Sequence, residues 1–197
     1  MQQTQVPAST ARRERHIPGE AGLWFLLFGD MTLFAVLFCV YLNQRGKQLE
    51  VFTHSQGTLN RDFGALNTLL LLSSSLLVVL ATRAVRGAAR RSAPRLLVGA
   101  IAFGLGFVAV KVVEYHDKII TGMTPDVNMF YMYYFVLTGL HLAHLVLGLV
   151  VLVVLFTLSR KAELSEGQFM FFEGGACFWH MVDLLWIVIF PLLYLVR

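Results

Sequence analysis

Several ionisable side chains that could do chemistry lie inside apolar stretches of the sequence. Glu173, His180 and Asp183 occur in the stretch FFEGGACFWHMVDLLW, and His141 and His144 occur in the preceding stretch TGLHLAHLVLG. In a helix, Glu173 and His180 lie within about 20° of each other and Asp183 follows one turn later, so the three share one broad face. Carboxylates and imidazoles placed in this way can ligate a metal or haem, move protons, or form a buried hydrogen-bonded network.

Three kinds of site fit this set of residues. Histidines on facing helices could ligate a haem, as in b-type cytochromes, although two histidines three residues apart on one helix cannot both point squarely at one iron. Intramembrane carboxylates, here Asp30, Glu114 and Glu173, could form a proton or ion pathway. A hydrogen-bonded polar network could instead fix the register of the helices and hold lipid or a partner subunit. The residues favour this structural interpretation and leave the other two open.

The polar face of the last stretch is expected to point into the protein, because an ionisable residue at mid-bilayer depth costs roughly 2.5 to 3.5 kcal/mol. We expect its partners among the ionisable residues of the other stretches, which are Asp30, Glu114, His141 and His144. Trp179 and Trp186, seven residues apart, form a neighbouring stripe. Lys111 precedes Glu114 by three residues, and this spacing predicts an ion pair near one membrane boundary.

The elements that position these residues are predicted to be membrane helices. Of the 197 residues, 57% are hydrophobic and 14% are charged, a composition typical of a chain whose solvent is a bilayer. A helix needs roughly 20 residues to cross the hydrocarbon core. Apolar stretches of about that length occupy residues 21–43, 63–84, 96–116, 134–158 and 169–196. We therefore predict an all-α fold, a polytopic membrane bundle of five transmembrane helices within residues 21–197, preceded by a polar cytoplasmic tail at residues 1–20.

Small and polar residues within the stretches predict where helices approach each other closely. Asn67 and Ser74 lie among leucines of the second stretch, and Gly139 lies in the fourth. Such residues let helix backbones meet or form hydrogen bonds between helices. Cys39 and Cys177 lack the spacing of a metal or redox motif, so we expect both to be small buried residues without a disulfide.

The segments between the stretches are predicted to be simple connections. Residues 44–62 are polar, and we interpret them as a loop on the outer side. The aromatic run NMFYMYYFV, residues 128–136, is interpreted as an interfacial belt that leads into the fourth span.

The distribution of Lys and Arg predicts the orientation of the chain. With the N-terminus in the cytoplasm, ten of the 16 lie inside and five outside, as the positive-inside rule requires. The inner residues are Arg12, Arg13, Arg15, Arg83, Arg86, Arg90, Arg91, Arg95, Arg160 and Lys161. The outer residues are Arg45, Lys47, Arg61, Lys118 and Arg197, while Lys111 lies within a span. The C-terminus is therefore predicted to be periplasmic, and the net charge of +4 indicates contact with anionic lipid rather than with nucleic acid.

Four ordered stretches together resemble the helices of subunit III of the haem-copper oxidases. They are LNTLLLLSSS (66–75), KVVEY (111–115), YFVLTGLHLAHLVLG (134–148) and FEGGACFWHMVDLLW (172–186). The resemblance runs from about residue 22 to the end of the chain, and the last stretch is its most specific part.

The resemblance implies a non-catalytic membrane subunit that docks beside a catalytic haem-copper subunit and holds phospholipid. The chain itself is then expected to bind no haem or metal, because these belong to the partner. Asp30 stands where the family usually has a glutamate on the proton-entry side, and with Glu114 it is the candidate for a proton-related role. The residues expected to line a lipid-holding polar seam are Glu173, Trp179, His180, Asp183, Trp186, His141 and His144.

One further stretch predicts the branch of the family. HIPGEAGLWFLLFGDM, residues 16–31, resembles the accessory membrane subunit of nitric oxide reductase more than an ordinary oxidase subunit III. We therefore predict a bacterial inner-membrane accessory subunit of a nitric oxide reductase that stabilises the catalytic subunit and assists proton uptake. The alternative within the family is subunit III of a cytochrome c or quinol oxidase in aerobic respiration. The alternative of another class is an independent proton-coupled membrane carrier.

Overall fold

The computed structural model describes residues 21–87, 90–161 and 163–196, so the predicted tail at residues 1–20 lies outside the described ranges. Six α-helices make up most of these residues, and no strand occurs among them. The helices are α1 (Ala21–Lys47), α2 (Leu49–Gln56), α3 (Arg61–Arg86), α4 (Ala93–Ile120), α5 (Met129–Ser159) and α6 (Glu166–Phe190). All except α2 are long and apolar enough to cross a membrane, which confirms the predicted all-α fold with five such helices.

The helices extend a few residues beyond the apolar stretches because polar side chains cap their ends. The Asn60 side chain accepts a hydrogen bond of 2.9 Å from the backbone N–H of Asp62 at the start of α3. Ser165 and Gln168 form a capping box at the start of α6, in which each side chain satisfies the backbone N–H of the other. Hydropathy detects only the part of a helix that lies in hydrocarbon, whereas the caps lie at the boundaries.

Helix α6 lies at the centre of the bundle. It packs against α3, α5 and α1. Of its 18 most apolar consecutive residues, 56% are buried, compared with 11% for the corresponding part of α1. The contact between α3 and α4 is the most extensive between two helices. Across it the Ser74 hydroxyl donates a hydrogen bond of 2.8 Å to the carbonyl of Ala100. The residues of α6 are therefore placed to meet most of the bundle, whereas α1 is the most exposed of the long helices.

Helix α2 lies within residues 44–62, so the interpretation of this segment as a loop is wrong. Its Phe52 side chain is fully buried. The ring packs edge-on against Tyr41 and Phe130, at centroid distances of 5.4 and 5.7 Å. A single buried aromatic ring and its partners on α1 and α5 thus hold a segment whose composition is polar.

The end of α6 is also tied to α2. After α6 the chain forms a π-helical turn, Pro191–Leu195, because a proline has no backbone N–H to continue the α-helical ladder. The buried Gln56 side chain donates hydrogen bonds to the carbonyls of Leu192 and Leu193, at 3.3 and 3.2 Å. These bonds satisfy backbone acceptors in the π-helical turn at the end of α6.

The aromatic run at residues 128–136 forms the N-cap and the first turns of α5, and its Phe130, Tyr131 and Tyr134 are buried. Its interpretation as an interfacial belt stays a prediction. Cys39 is exposed and Cys177 is half-buried, so the expectation of two buried cysteines is wrong. Cys39 lies on a face of α1 that is turned away from the bundle, where hydrocarbon rather than protein is the expected solvent.

Candidate functional site

An ion pair between α3 and α6 contains the first residue of the polar face. Glu173 pairs with the guanidinium of Arg86, which lies in the last turn of α3. The Glu173 side chain is 3% exposed, whereas that of Arg86 is 56% exposed. The Arg86 guanidinium also lies 5.5 Å from the centroid of the Phe169 ring. The arginine therefore covers the carboxylate at the end of the bundle where α3 ends and α6 begins.

His180 and Asp183 lie further along the same face of α6. The Ser75 hydroxyl lies 2.7 Å from Nδ1 of His180. His180 is half-buried and Asp183 is buried. Glu173 and His180 thus both contact α3. Asp183 follows His180 by three residues on the same helix.

The partners predicted for this face are wrong. Arg86 and Ser75 of α3 take the place of the expected Asp30, Glu114, His141 and His144. The reason is the arrangement of the helices, since α6 turns its polar face to α3 and its tryptophans to α4 and α5. A signal was present in α3, where residues at helical spacing form one stripe: Ser75, Val79, Thr82 and Arg86.

A cleft of about 240 Å³ lies between α3 and α6 beside the polar face. Its polar lining consists of Thr82, Arg83 and Arg86 from α3 and Glu173, Cys177 and His180 from α6. The cleft runs along the two helices from the Arg86 ion pair to His180. It therefore connects the charged end of the bundle with the polar residues deeper in the span.

A second polar cluster lies toward the other end of α6. Lys111 and Glu114 form an ion pair with an N–O distance of 2.9 Å, and both are 1% exposed, which confirms the predicted pair. The Glu114 carboxylate also accepts hydrogen bonds from Tyr134 and Tyr194, at 2.8 and 2.5 Å. Lys111 Nζ donates a further hydrogen bond of 2.9 Å to the Tyr194 hydroxyl. We refer to these four residues as the Lys111 cluster.

Four aromatic rings surround the ammonium group of Lys111. Its Nζ atom lies 4.9 Å from the ring centroid of Trp186, 5.3 Å from that of Tyr134 and 5.4 Å from that of Tyr194. The ring of Tyr115 is 5.9 Å away. Cation–π contacts of this kind compensate part of the cost of removing an ammonium group from water. The Lys111 cluster thereby joins α4, α5 and the turn after α6 without leaving an unpaired charge.

His141 is a packing residue in this structure. It is fully buried, and its ring lies 5.3 Å from Trp186 and 5.6 Å from Phe107 between centroids. Among the described residues, neither of its ring nitrogens has a hydrogen-bond partner. Trp186 is held in turn by a hydrogen bond of 3.1 Å from its Nε1 to the Thr68 hydroxyl. These rings fill the space between α4, α5 and α6 next to the Lys111 cluster.

His144 connects α5 to α1. Its Nε2 atom lies 3.5 Å from the Asp30 carboxylate, and its Nδ1 atom donates a hydrogen bond of 2.8 Å to the carbonyl of Leu140. Phe34 of α1 packs edge-on against the imidazole at 5.6 Å. This polar pair and the phenylalanine form one specific link between α1 and the bundle, and the buried Tyr41, whose ring packs on Tyr133 of α5, forms another.

The three histidines considered as haem ligands make their contacts with different helices. His141 packs on α4 and α6, His144 pairs with α1, and His180 bonds to α3. They therefore do not converge on one position. Within the described ranges, no three His, Cys, Asp or Glu side chains come together as candidate metal ligands.

Trp179, one of the residues predicted to line the polar seam, packs against Gly104 and Gly148. These two glycines were not among the residues predicted to mediate helix packing. A Cβ atom added at Gly148 would lie 2.8 Å from Cε3 of Trp179, and one added at Gly104 would lie 3.0 Å from Cη2. Trp179 itself is 1% exposed. Helix α6 therefore packs closely on α4 and α5 at this indole.

The residues predicted to mediate helix packing have different surroundings. Ser74 makes the hydrogen bond to α4 described above. Asn67 is fully buried, and within the described residues its side-chain amide has no hydrogen-bond partner. At Gly139 an added Cβ atom would be 3.8 Å from the Tyr115 hydroxyl, an ordinary contact.

A second, larger cleft of about 330 Å³ lies between α1, α5 and α6. Its lining is almost entirely apolar and includes Leu26 from α1, Leu147 and Val151 from α5, and Phe171 and Phe178 from α6. The weak packing of α1 leaves this space open. An apolar cleft beside a membrane helix is suited to an acyl chain.

Most of the chain is similar in sequence to known proteins. Residues 19–196 match the family model described as cytochrome c oxidase subunit III. The chain is 30% identical over 174 residues to cytochrome bo(3) ubiquinol oxidase subunit 3 of Buchnera aphidicola, covering 88% of this chain and 84% of that protein. It is 30% identical over 175 residues to cytochrome c oxidase subunit 3 of Alkalihalophilus pseudofirmus, with the same coverage. It is also 26% identical over 185 residues to heme-copper oxidase subunit I+III of Aeropyrum pernix, of which it covers 22%.

Proposed function

Because this chain belongs to the cytochrome c oxidase subunit III family, we propose that it is the non-catalytic membrane subunit of a haem-copper oxidase. The observation that carries the proposal is the match over residues 19–196, together with relatives whose names are subunit 3 of cytochrome c and ubiquinol oxidases. The partner is then the catalytic subunit, which holds the haem and metals. The relative from Aeropyrum pernix, named as subunit I+III, supports this pairing because its name joins the two subunits in one protein.

The role of the chain in such a complex is support of the catalytic subunit. Its buried charged groups are bound within the bundle, as the Glu173–Arg86 pair and the Lys111 cluster illustrate. Groups held in this way fix helices relative to one another. The apolar cleft between α1, α5 and α6 supports the further proposal that the subunit holds phospholipid. A role in proton uptake is proposed for Asp30 from the resemblance and for Glu114 because it is a carboxylate within a membrane span.

The nitric oxide reductase branch is the second candidate. It is supported by the stretch HIPGEAGLWFLLFGDM, residues 16–31, of which residues 16–20 lie outside the described part of the structure. The names of the relatives given above favour the oxidase alternative instead. We therefore put the cytochrome c or quinol oxidase first and keep the nitric oxide reductase as the competing hypothesis.

The chain is a multi-pass membrane protein. We place it in the inner membrane of a bacterium with its N-terminus in the cytoplasm and its C-terminus in the periplasm. This placement is supported by the excess of Lys and Arg on one side of the bundle.

Purification of the tagged chain from its native membrane tests the proposal. We expect a mild detergent to release a complex with a Soret absorption band that belongs to a partner polypeptide. The complex should consume oxygen with a cytochrome or quinol donor. Consumption of nitric oxide but not oxygen would establish the second candidate. A chain that emerges without a haem protein and carries protons in proteoliposomes would contradict both and favour an independent carrier.

A further inference from the structure

The Lys111 cluster places two phenols on one carboxylate oxygen. The hydroxyls of Tyr134 and Tyr194 donate hydrogen bonds to the same Oε1 atom of Glu114, at 2.8 and 2.5 Å. The other oxygen, Oε2, accepts a hydrogen bond of 2.9 Å from Lys111. Tyr134 is fully buried and Tyr194 is 1% exposed, so both hydroxyls are shielded from water. Each of these phenols therefore has a base within reach of its proton.

The other tyrosine hydroxyls with bonded partners in the described part of the chain do not contact a carboxylate. That of Tyr41 bonds to a backbone carbonyl, that of Tyr115 to a threonine hydroxyl, and that of Tyr131 to a threonine hydroxyl and a methionine sulfur. A neutral phenol keeps its proton beside any of these groups, but a phenol that loses an electron becomes a strong acid. A carboxylate can then take up the proton, whereas a carbonyl, an alcohol or a thioether is too weak a base.

Aromatic rings connect the Lys111 cluster with the surface of the bundle. The ring centroid of Tyr134 lies 6.4 Å from that of Tyr194 and 6.1 Å from that of Tyr115. The side chain of Tyr115 is half-buried, so part of it is reachable from outside the chain. Neighbouring aromatic rings can pass an electron from one to the next. An oxidant at the surface can thus remove an electron from a buried tyrosine that it does not touch.

We propose that Tyr194 is a redox site, from which a strong one-electron oxidant removes an electron while Glu114 takes the proton. The O–H bond of Tyr194 breaks, a new O–H bond forms at Oε1 of Glu114, and the oxidant is reduced by one electron. The products on the chain are a neutral phenoxyl radical and a carboxylic acid.

The contacts of Lys111 assign the radical to Tyr194 rather than to Tyr134. Lys111 Nζ donates a hydrogen bond of 2.9 Å to the Tyr194 oxygen, and this bond remains after the phenolic proton has left. Protonation of Glu114 leaves one positive charge in the cluster, and this charge lies on Lys111. The aromatic rings around the ammonium group stabilise it there.

The source of the oxidant rests on the proposed function. A haem that reacts with oxygen or peroxide becomes a strong one-electron oxidant, and the catalytic partner proposed above holds such a haem. The tyrosine site itself rests only on contacts within this chain. The site and the source of the oxidant can therefore be tested separately.

Electron paramagnetic resonance of the full chain in detergent tests the site. The oxidant is tris(bipyridine)ruthenium, excited by light in the presence of persulfate, and the sample is frozen after illumination. We expect a phenoxyl radical signal whose hyperfine pattern changes in protein made with ring-deuterated tyrosine. Tyr194→Phe should lose this signal. Tyr131→Phe, which removes a buried tyrosine bonded to a hydroxyl and a sulfur, should keep it.

A variant without the base separates proton transfer from packing. Lys111→Met/Glu114→Gln leaves both tyrosines of the cluster in place and contains no unpaired charge, so the chain should still fold. We expect it to lose the radical signal, because the phenolic proton has no acceptor. Four outcomes would overturn the assignment: no tyrosine radical on the wild-type chain, an unchanged signal in Tyr194→Phe, an unchanged signal in the double variant, and equal loss in Tyr194→Phe and Tyr131→Phe.

Hydrogen peroxide added to the haem-containing complex tests the source of the oxidant. Complexes that contain the wild-type chain or Tyr194→Phe are frozen after mixing, and their spectra are subtracted. We expect the difference to match the signal of the illuminated chain. A flat difference, with the signal present on the illuminated chain, would count against a haem as the oxidant and so against the proposed function, while the tyrosine site would stand.

Discussion

At the scale of single residues, Lys111 and Glu114 show how a charged pair is held among apolar helices. Both side chains are 1% exposed, and the carboxylate accepts hydrogen bonds from two tyrosines in addition to its bond from the lysine. Aromatic rings surround the ammonium group within 6 Å. A charge that is paired, hydrogen-bonded and caged in this way is compensated locally. Loss of either partner should therefore cost more than loss of both.

Substitution Glu114→Gln tests this cost. It keeps acceptors for Tyr134 and Tyr194 but leaves the Lys111 ammonium buried without a counter-charge. We expect the free energy of unfolding to fall by about 3 kcal/mol, the loss typical of breaking one side of a buried pair. The measurement is titration with a denaturing detergent, followed by tryptophan fluorescence.

The double variant Lys111→Met/Glu114→Gln should recover most of that loss, because no unpaired charge remains. Asp117→Asn is the matched control, since its side chain lies in the same helix and is 63% exposed. Equal unfolding midpoints for Glu114→Gln and Asp117→Asn would show that the pair adds nothing to stability.

At the scale of the helices, hydropathy was sufficient to predict α1, α3, α4, α5 and α6. A bilayer requires about 20 apolar residues for each crossing, and this requirement is visible in one sequence. Helix α2 was missed because it is held by tertiary contacts of Phe52 and Gln56, which have no counterpart in a local pattern. Polar composition therefore indicated a loop where the fold builds a short helix with one buried side.

The candidate site, too, was predictable only within a single helix. The shared face of Glu173, His180 and Asp183 follows from 100° per residue within a single helix. Their partners do not, because pairing depends on which neighbour the helix turns that face toward. Arg86 and Ser75 belong to α3, and the order of helices around α6 is a property of the whole bundle. Geometry within a helix was thus predictable, and geometry between helices was not.

The close contact between Gly148 and Trp179 provides a test of packing between α5 and α6. In Gly148→Ala the new methyl group would lie 2.8 Å from the indole, so the ring or the helix must shift. We expect a loss of about 1 to 3 kcal/mol in the free energy of unfolding, as for overpacking of a core. In Gly139→Ala of the same helix the nearest atom is 3.8 Å away.

The Gly139→Ala control should be neutral or stabilise the helix by up to about 1 kcal/mol, because alanine is the better helix former. Both variants are compared with the wild type in the same detergent titration. A stability of Gly148→Ala equal to that of Gly139→Ala would mean that α5 and α6 are not in close contact at this indole.

At the scale of the whole molecule, charged groups lie at the two ends of the bundle and close packing lies between them. The Glu173–Arg86 pair joins α3 and α6 at one end, and the Lys111 cluster joins α4, α5 and the turn after α6 toward the other. Trp179 fills the space between. Helix α1 is attached through the Asp30–His144 pair and through the buried Tyr41. Helices α3 to α6 thus form the packed core, and α1 leaves the apolar cleft open.

This arrangement also predicts which side of the membrane each end faces. The end with Arg86 carries most of the exposed cations, whereas two cations of the other end are bound to carbonyls: Arg45 to Val196 and Lys118 to Thr58. The positive charge that is not bound within the protein is therefore distributed between the two ends even more unequally than the Lys and Arg residues are. Because cytoplasmic loops carry the excess of positive charge, the Arg86 end should face the cytoplasm.

Labelling of single cysteines in spheroplasts tests this orientation. In a chain with Cys39→Ala and Cys177→Ala, the exposed positions Gly57→Cys and Lys161→Cys mark opposite ends of the bundle. A membrane-impermeant maleimide should react with Gly57→Cys in intact spheroplasts and with Lys161→Cys only after permeabilisation. The reverse pattern would place the basic end in the periplasm. The positive charge would then not have determined the topology.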